Sequence, residues 1–242
     1  MPDVAYGNVS SSSSAAGVSQ LTFSHTASGD NRAVFVGVGF STGGGAGSCT
    51  GVTYGGVAMT EKWDFTFSTN YGNAGYTLAG DVNIATGAQN VVVTLNATHD
   101  EVAAGAISLT NVNSGDPTGT ANTTSGLNGS TCTIDITGVT GGLVVDNVYT
   151  EGVLTPDGGN TSRWEQESIG GFTSGGGSTK AGATSVTMSW NTNGELWGLG
   201  GICFKPSGGT VPKQAPMHSM RQAARFAEDD GLFADVDVKA WY

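Results

Sequence analysis

The sequence predicts an all-β protein: a two-sheet, jelly-roll-like β-sandwich with a short helical and extended C-terminal arm. Three observations carry the prediction. Apolar residues alternate with a period of two through most of residues 1–206. Turn signals rich in Gly, Asn, Asp and Ser punctuate the alternating runs, among them SGDN, TGGGAG, NSGDPTG, TPDGGN and TSGGG. Composition also changes near residue 210. Residues 1–210 carry 5 basic and 15 acidic side chains, whereas the much shorter 211–242 carries 4 and 5. The boundaries that follow are a sandwich over 1–206 and a linker with an amphipathic arm over 207–242.

The strands follow in order. Leu21 and Phe23 alternate in VSQLTFSHT. Val34, Val36, Val38 and Phe40 form one face of RAVFVGVGF, with Phe35 and glycines on the other. VTYGGVAMT and AGYTLAGDV come next. Val91, Val93 and Leu95 alternate in NVVVTLN, and Ile107 and Leu109 in AGAISLTNV. Ile134 and Ile136 alternate with Cys132 in TCTIDIT. Leu143, Val145 and Tyr149 share a face of GGLVVDNVYT. SRWEQESIG, TSVTMSWN and LWGLGGICFKP complete the set, for about ten or eleven strands. Gly37, Gly39, Gly198 and Gly200 lie inside strands, where they mark bulges or a close approach of sheets.

The arm begins beyond Pro212 and Pro216. Met217, Met220, Ala224 and Ala227 fall at spacings of three and four, which is one helical face. Such a helix of about three turns is marginal alone in water and needs a surface. The closing DVDVKAWY alternates Val236 and Val238 against Asp235, Asp237, Lys239 and Trp241, a strand pattern that needs an edge to pair with. The expected partner-binding residues are therefore Met217, Met220, Ala224, Ala227, Val236, Val238 and Trp241.

Composition excludes several functions. Gly is 40 of 242 residues, and only 12% are charged, about half the usual share. The net charge is −11, with no basic stripe, which argues against nucleic-acid binding. No apolar run approaches the roughly 20 residues of a membrane helix, and the N-terminus lacks the basic and apolar regions of a secretory signal. Cys49, Cys132 and Cys203 are odd in number and widely spaced, so buried thiols are expected; a Cys49–Cys132 bridge is the alternative. His25, His99 and His218 share no metal-ligand spacing. No nucleophile elbow or phosphate loop occurs. Glu165 and Glu167 would share one strand face about 7 Å apart, which any ExE on a solvated strand does. Neither catalytic residues nor a metal or other cofactor is expected. Among the aromatics, Trp63 in EKWDF and Trp164 in SRWEQ have polar neighbours. They are the candidates for stacking on a sugar, although an interface tryptophan fits the same pattern.

The strings SQLTFSHTASGDNRAVFVGVGFS, GVTYGGVAMT and VVVTLNATHDEVAAGAISLTNVNSGDPTG resemble a β-sandwich module of bacteriophage structural proteins and of large bacterial surface proteins. The resemblance spans Ser19 to Pro117, and the strand rhythm continues to Pro206. It implies no catalytic residues. With its own initiator Met and arm, the chain looks like a virion component, a capsid decoration or head-fibre protein assembled in the host cytoplasm. The expected partners are the major capsid protein or another virion protein, and further copies of the chain, as a trimer by preference or a dimer. The alternative is an adhesin or carbohydrate-binding module that takes a surface glycan. A glycan-active enzyme using Glu165 and Glu167 is the weakest reading.

Overall fold

The structure, a computed structural model, describes residues 2–42, 47–127, 131–193 and 196–208. Among them there are strands and no helix. In chain order these are β1 (Ala5–Ser14), β2 (Val18–Ala27), β3 (Ala33–Ser41), β4 (Cys49–Tyr54), β5 (Val57–Ala58), β6 (Thr60–Thr66), β7 (Tyr71–Ala79), β8 (Gly87–His99) and β9 (Glu101–Thr110). There follow β10 (Asn122–Gly126), β11 (Thr131–Thr137), β12 (Leu143–Glu151), β13 (Leu154–Asp157), β14 (Thr161–Ile169), β15 (Thr173–Ala181), β16 (Ser185–Thr192) and β17 (Trp197–Phe204). The described residues form one compact unit that ends at Gly208. The expected arm residues Met217, Met220, Ala224, Ala227, Val236, Val238 and Trp241 lie outside the described residues.

The expected two-sheet sandwich is corrected to four antiparallel sheets. Their orders are β2-β8-β4-β5, β1-β9-β3-β7-β6, β10-β17-β12-β15-β14 and β11-β16-β13. Three apolar clusters separate them. The first lies between β2-β8-β4 and the sheet centred on β3, with Val34, Val36, Val38, Tyr54 and Val93. The second lies between the two five-stranded sheets, with Phe35, Trp63, Ile107, Tyr149, Trp164 and Phe204. The third lies between the β12 sheet and the β11 sheet, with Ile134, Val144, Val148, Met188 and Trp190.

The physical reason lies in β3. Its even residues fill the first cluster, and its odd face carries Phe35, Gly37 and Gly39. Such a small face reads in sequence as solvent-side, but a second sandwich lies flat on it. All nine residues of β3 are buried, as are all eight of β17. A Cβ on Gly37 would fall 2.5 Å from Cγ of Asn147, and one on Gly39 would fall 2.2 Å from Cδ2 of Tyr149. The strand glycines thus allow the two inner sheets to approach closely.

The chain folds the same way twice. Both five-stranded sheets run first, last, third, sixth and fifth strand of their half, if the short β5 is counted with β4. Registers match as well: β3 meets β7 from Ala33↔Ala79 and β12 meets β15 from Leu143↔Ala181. Trp63 pairs with Gly75 just after a bulge, and Trp164 pairs with Gly177 just after a bulge. Trp63 crosses the seam to Gly200, and Trp164 crosses it the other way to Gly105. The contact is reciprocal, as in an isologous dimer, but within a single chain.

One end of the stack is tied shut. The Val4 amide donates to the Gly141 carbonyl at 2.8 Å, and Lys205 N to the Pro117 carbonyl at 2.9 Å. Asn111 Nδ2 donates to the Asp3 carbonyl at 3.0 Å, and Val112 bridges Pro206. The connection between the halves, residues 111–121, and both ends of the folded unit lie there.

The three cysteines are free and buried. Cys49 on β4 and Cys132 on β11 belong to different sandwiches, which removes the alternative bridge. Burial pushes both thiols up to about 12, and the thiolate is the reactive form. The native protein will therefore react negligibly with a thiol-specific reagent at pH 8, and the denatured, unreduced protein will react at three thiols. Fewer than three after denaturation would contradict this assignment.

Candidate functional site: a cleft at the open end of the seam

At the opposite end the seam opens. There β3 ends at Ser41 and β12 at Glu151, the last residues of equivalent strands. The registers Ser41↔Tyr71 and Ser41↔Glu101 set Tyr71 and Glu101 on either side of Ser41. Ser41 Oγ donates to Glu101 Oε2 at 2.9 Å. The Tyr71 hydroxyl crosses the seam and donates to Glu151 Oε1. The β14–β15 turn closes with Gly171 N to the Ser168 carbonyl at 2.9 Å and Phe172 N to the Ile169 carbonyl at 3.1 Å. Gly170 and Gly171 there have φ of 59° and 88°, a region that glycine tolerates without strain. A Cβ on Gly170 would fall 2.0 Å from Glu101 Oε1, so this turn packs directly on the Glu101 carboxylate. The turn leaves Phe172 75% exposed.

Together these groups line a cleft of about 620 Å³, with residues from both halves of the chain. Asp100 and the side of Asn70 complete the first half's wall, and Asn193 the second's. Desolvation by burial, followed by the adjoining carboxylates Glu151 and Glu101, raises the Tyr71 phenol above its usual range. It therefore stays a neutral donor and fixes the rotamer of Glu151. Behind it, Tyr149 donates to Thr173 Oγ1 at 3.0 Å, and its ring centroid lies 6.4 Å from that of Tyr71. The cleft thus presents held carboxylates, amides and one exposed aromatic face. Each carboxylate has capacity for further hydrogen bonds. Among the described residues, no group of three or more His, Cys, Asp or Glu side chains is placed to hold a metal ion.

The residues singled out from sequence lie elsewhere. Trp63 and Trp164 are only 6% and 4% exposed. Both rings are enclosed in the seam, so the sugar-stacking role expected of them is corrected to an interface role. Trp63 Nε1 donates to Asn73 Oδ1 at 2.8 Å. Two residues before Gly177, where Asn73 would recur, stands Gly175, and Trp164 Nε1 has no hydrogen-bond partner among the described residues. Glu165 lies on β14 and accepts from Ser162 Oγ at 2.5 Å, away from the cleft. His25 and His99 are buried, and desolvation lowers both, His25 to about 4; His218 lies outside the described residues. Glu101, Glu151 and Phe172 are not visible in the sequence as a site. They are far apart along the chain, and an aromatic in a Gly-rich turn carries no pattern of its own.

The sequence matches no family model and no curated protein. Among solved structures, the chain is similar to dimeric latent PorU from Porphyromonas gingivalis, at 11% identity and a TM-score of 0.29. That similarity covers 81% of this chain and 20% of PorU, so the chain spans about a fifth of that protein's length.

Proposed function

We propose that this chain is a non-enzymatic structural protein of a bacteriophage virion, a capsid decoration or head-fibre component. In this reading residues 207–242 engage the assembled shell, through the major capsid protein or another virion protein, and the double sandwich faces outward. Each sandwich is read as jelly-roll-like, since its first and last strands are neighbours and its second strand pairs with its penultimate one.

The observation that carries the reading is the polarity of the folded unit. Asp3 and Pro206 both lie at the closed end, and Glu151 marks the open end. The nine residues of β12 separate the two ends by about 30 Å. A unit tethered at its closed end holds its cleft away from the attachment surface. Binding to the assembled shell alone would stabilise that shell by mass action. Trimeric association of copies is part of the proposal, with a dimer as the alternative.

The experiment is reconstitution on purified heads that lack the protein. Full-length chain is expected to bind in a fixed copy number, and chain ending at Gly208 to stay folded and not bind. Equal binding by both would refute anchoring through the C-terminal segment. A second reading, an adhesin or carbohydrate-binding module, is favoured by the cleft.

A further inference from the structure

We infer that the cleft between Glu101 and Glu151 is a binding site for a neutral, hydroxyl-rich saccharide, taken as a terminal sugar or short oligosaccharide; the inference rests on the adhesin reading for its biological role. The volume of about 620 Å³ lies within the range of small-ligand sites, roughly 300–1,000 Å³. Its chemistry is that of a polyol receptor. Vicinal sugar hydroxyls donate well to carboxylates, and such charge-assisted bonds are roughly twice as strong as neutral ones. The asparagine side chains at the rim both donate and accept, as a sugar hydroxyl does.

The acceptors are held before any ligand arrives. Ser41 fixes Glu101, and Tyr71 fixes Glu151 from the other sandwich. Prior fixing of this kind reduces the ordering cost of binding. Phe172 supplies what a polar cleft otherwise lacks, an exposed ring on which the apolar face of a pyranose can lie. It has no packing role to explain it, being 75% exposed on a turn that needs two left-handed glycines.

Charge selects among sugars. Asp100, Glu101 and Glu151 line one cleft on a chain of net charge −11. Sialylated and uronate-containing glycans are repelled, and neutral hexose and N-acetylhexosamine termini are accepted. The lining is also lopsided in a useful way. Ser41 and Glu151 occupy equivalent strand ends, yet one is a hydroxyl and the other a carboxylate, so a bound sugar has a defined orientation.

The test uses the full chain on an array of immobilised neutral, sialylated and uronate-containing oligosaccharides. The free form of any hit is then titrated against wild type, Phe172→Ala and Glu151→Gln. Both variants are expected to keep the wild-type melting temperature to within a few degrees. Phe172 is exposed, and in Glu151→Gln the side-chain amide oxygen still accepts from Tyr71. Neutral glycans are expected to bind, with affinity about tenfold weaker in Phe172→Ala and at least about tenfold weaker in Glu151→Gln. Binding that survives both substitutions would overturn the cleft as the site while leaving the adhesin reading intact. Preference for acidic glycans would overturn the ligand class. Binding to no saccharide would overturn both the inference and the adhesin reading, and leave the shell-binding proposal to its own test.

Discussion

Trp63→Ala will lower the unfolding free energy by about 3–5 kcal/mol, the usual cost of emptying a buried tryptophan site. The ring lies in the central seam, 5.7 Å centroid to centroid from Phe35, and fits over glycines of both halves. On the Gly75 and Gly200 side there is no side chain to move into the space. The loss should be read by chemical denaturation of the full chain, with a melting temperature about 2–4 °C lower per kcal/mol for a unit of this size. Trp164→Ala belongs to the same class by symmetry of position. Phenylalanine separates the two sites. Trp63→Phe removes the donor to Asn73 Oδ1, which keeps only Asn147 Nδ2 at 3.1 Å. Trp164→Phe removes a buried N–H that has no hydrogen-bond partner among the described residues. Trp63→Phe is therefore expected to cost about 1 kcal/mol more than Trp164→Phe. Equal losses would show that the Asn73 network contributes nothing at the seam.

Asp146 sets the second large effect, a dependence of stability on pH. It is fully buried on β12, where Val36 stands on β3, and accepts from Ser178 N at 2.6 Å, Ser178 Oγ at 2.9 Å and Trp190 Nε1 at 2.9 Å. Burial outweighs those donors and raises its carboxyl from 3.8 to about 7. The folded state therefore holds a proton that the unfolded chain releases. Its contribution to stability is complete below about pH 4 and is lost as pH rises through 7. A carboxyl held this far above its ordinary value changes stability by about a few kcal/mol across that pH range. His25 opposes it: lowered to about 4 by burial, it contributes stability above 6.5 that is lost as pH falls. The clean measurement is the difference between wild type and Asp146→Asn. That gap is expected to be widest at or below about pH 4 and to shrink steadily up to pH 7. Asn also turns an amide donor toward Ser178 or Trp190, so the variant is less stable at low pH. A gap independent of pH would refute a protonated Asp146.

Much of the fold was legible. The period of two in β3, β8, β11 and β16 reports one buried face each, and those strands appear where expected. The glycines inside β3 and β17 signal a close approach of sheets. What could not be read was how many sheets approach. A strand with valines on one side and glycines on the other looks half-solvated until a second sandwich is known to cover it. The duplication left a faint trace, Lys62-Trp63-Asp64 against Arg163-Trp164-Glu165, each followed by a strand that ends in Ala with Gly just beyond it. The tryptophans stand out as a pair, but their polar neighbours suggest a ligand rather than a seam. In each strand those neighbours flank a ring that points inward. The cleft was illegible because its parts come from β3, β7, β9, β12 and the β14–β15 turn, and only the stacking of halves brings them together.

Joining the two halves in one chain frees them from a constraint that binds any pair of identical subunits. Across a true two-fold axis, every change on one side appears on the other, so a pocket on the axis must offer mirrored roles to an asymmetric guest. Here Asn73 faces Gly175 as its counterpart, and Ser41 faces Glu151, while the backbone registers still agree. Each half has kept the frame and let its side chains specialise. The covalent link turns a doubled structural part into one object with a left and a right.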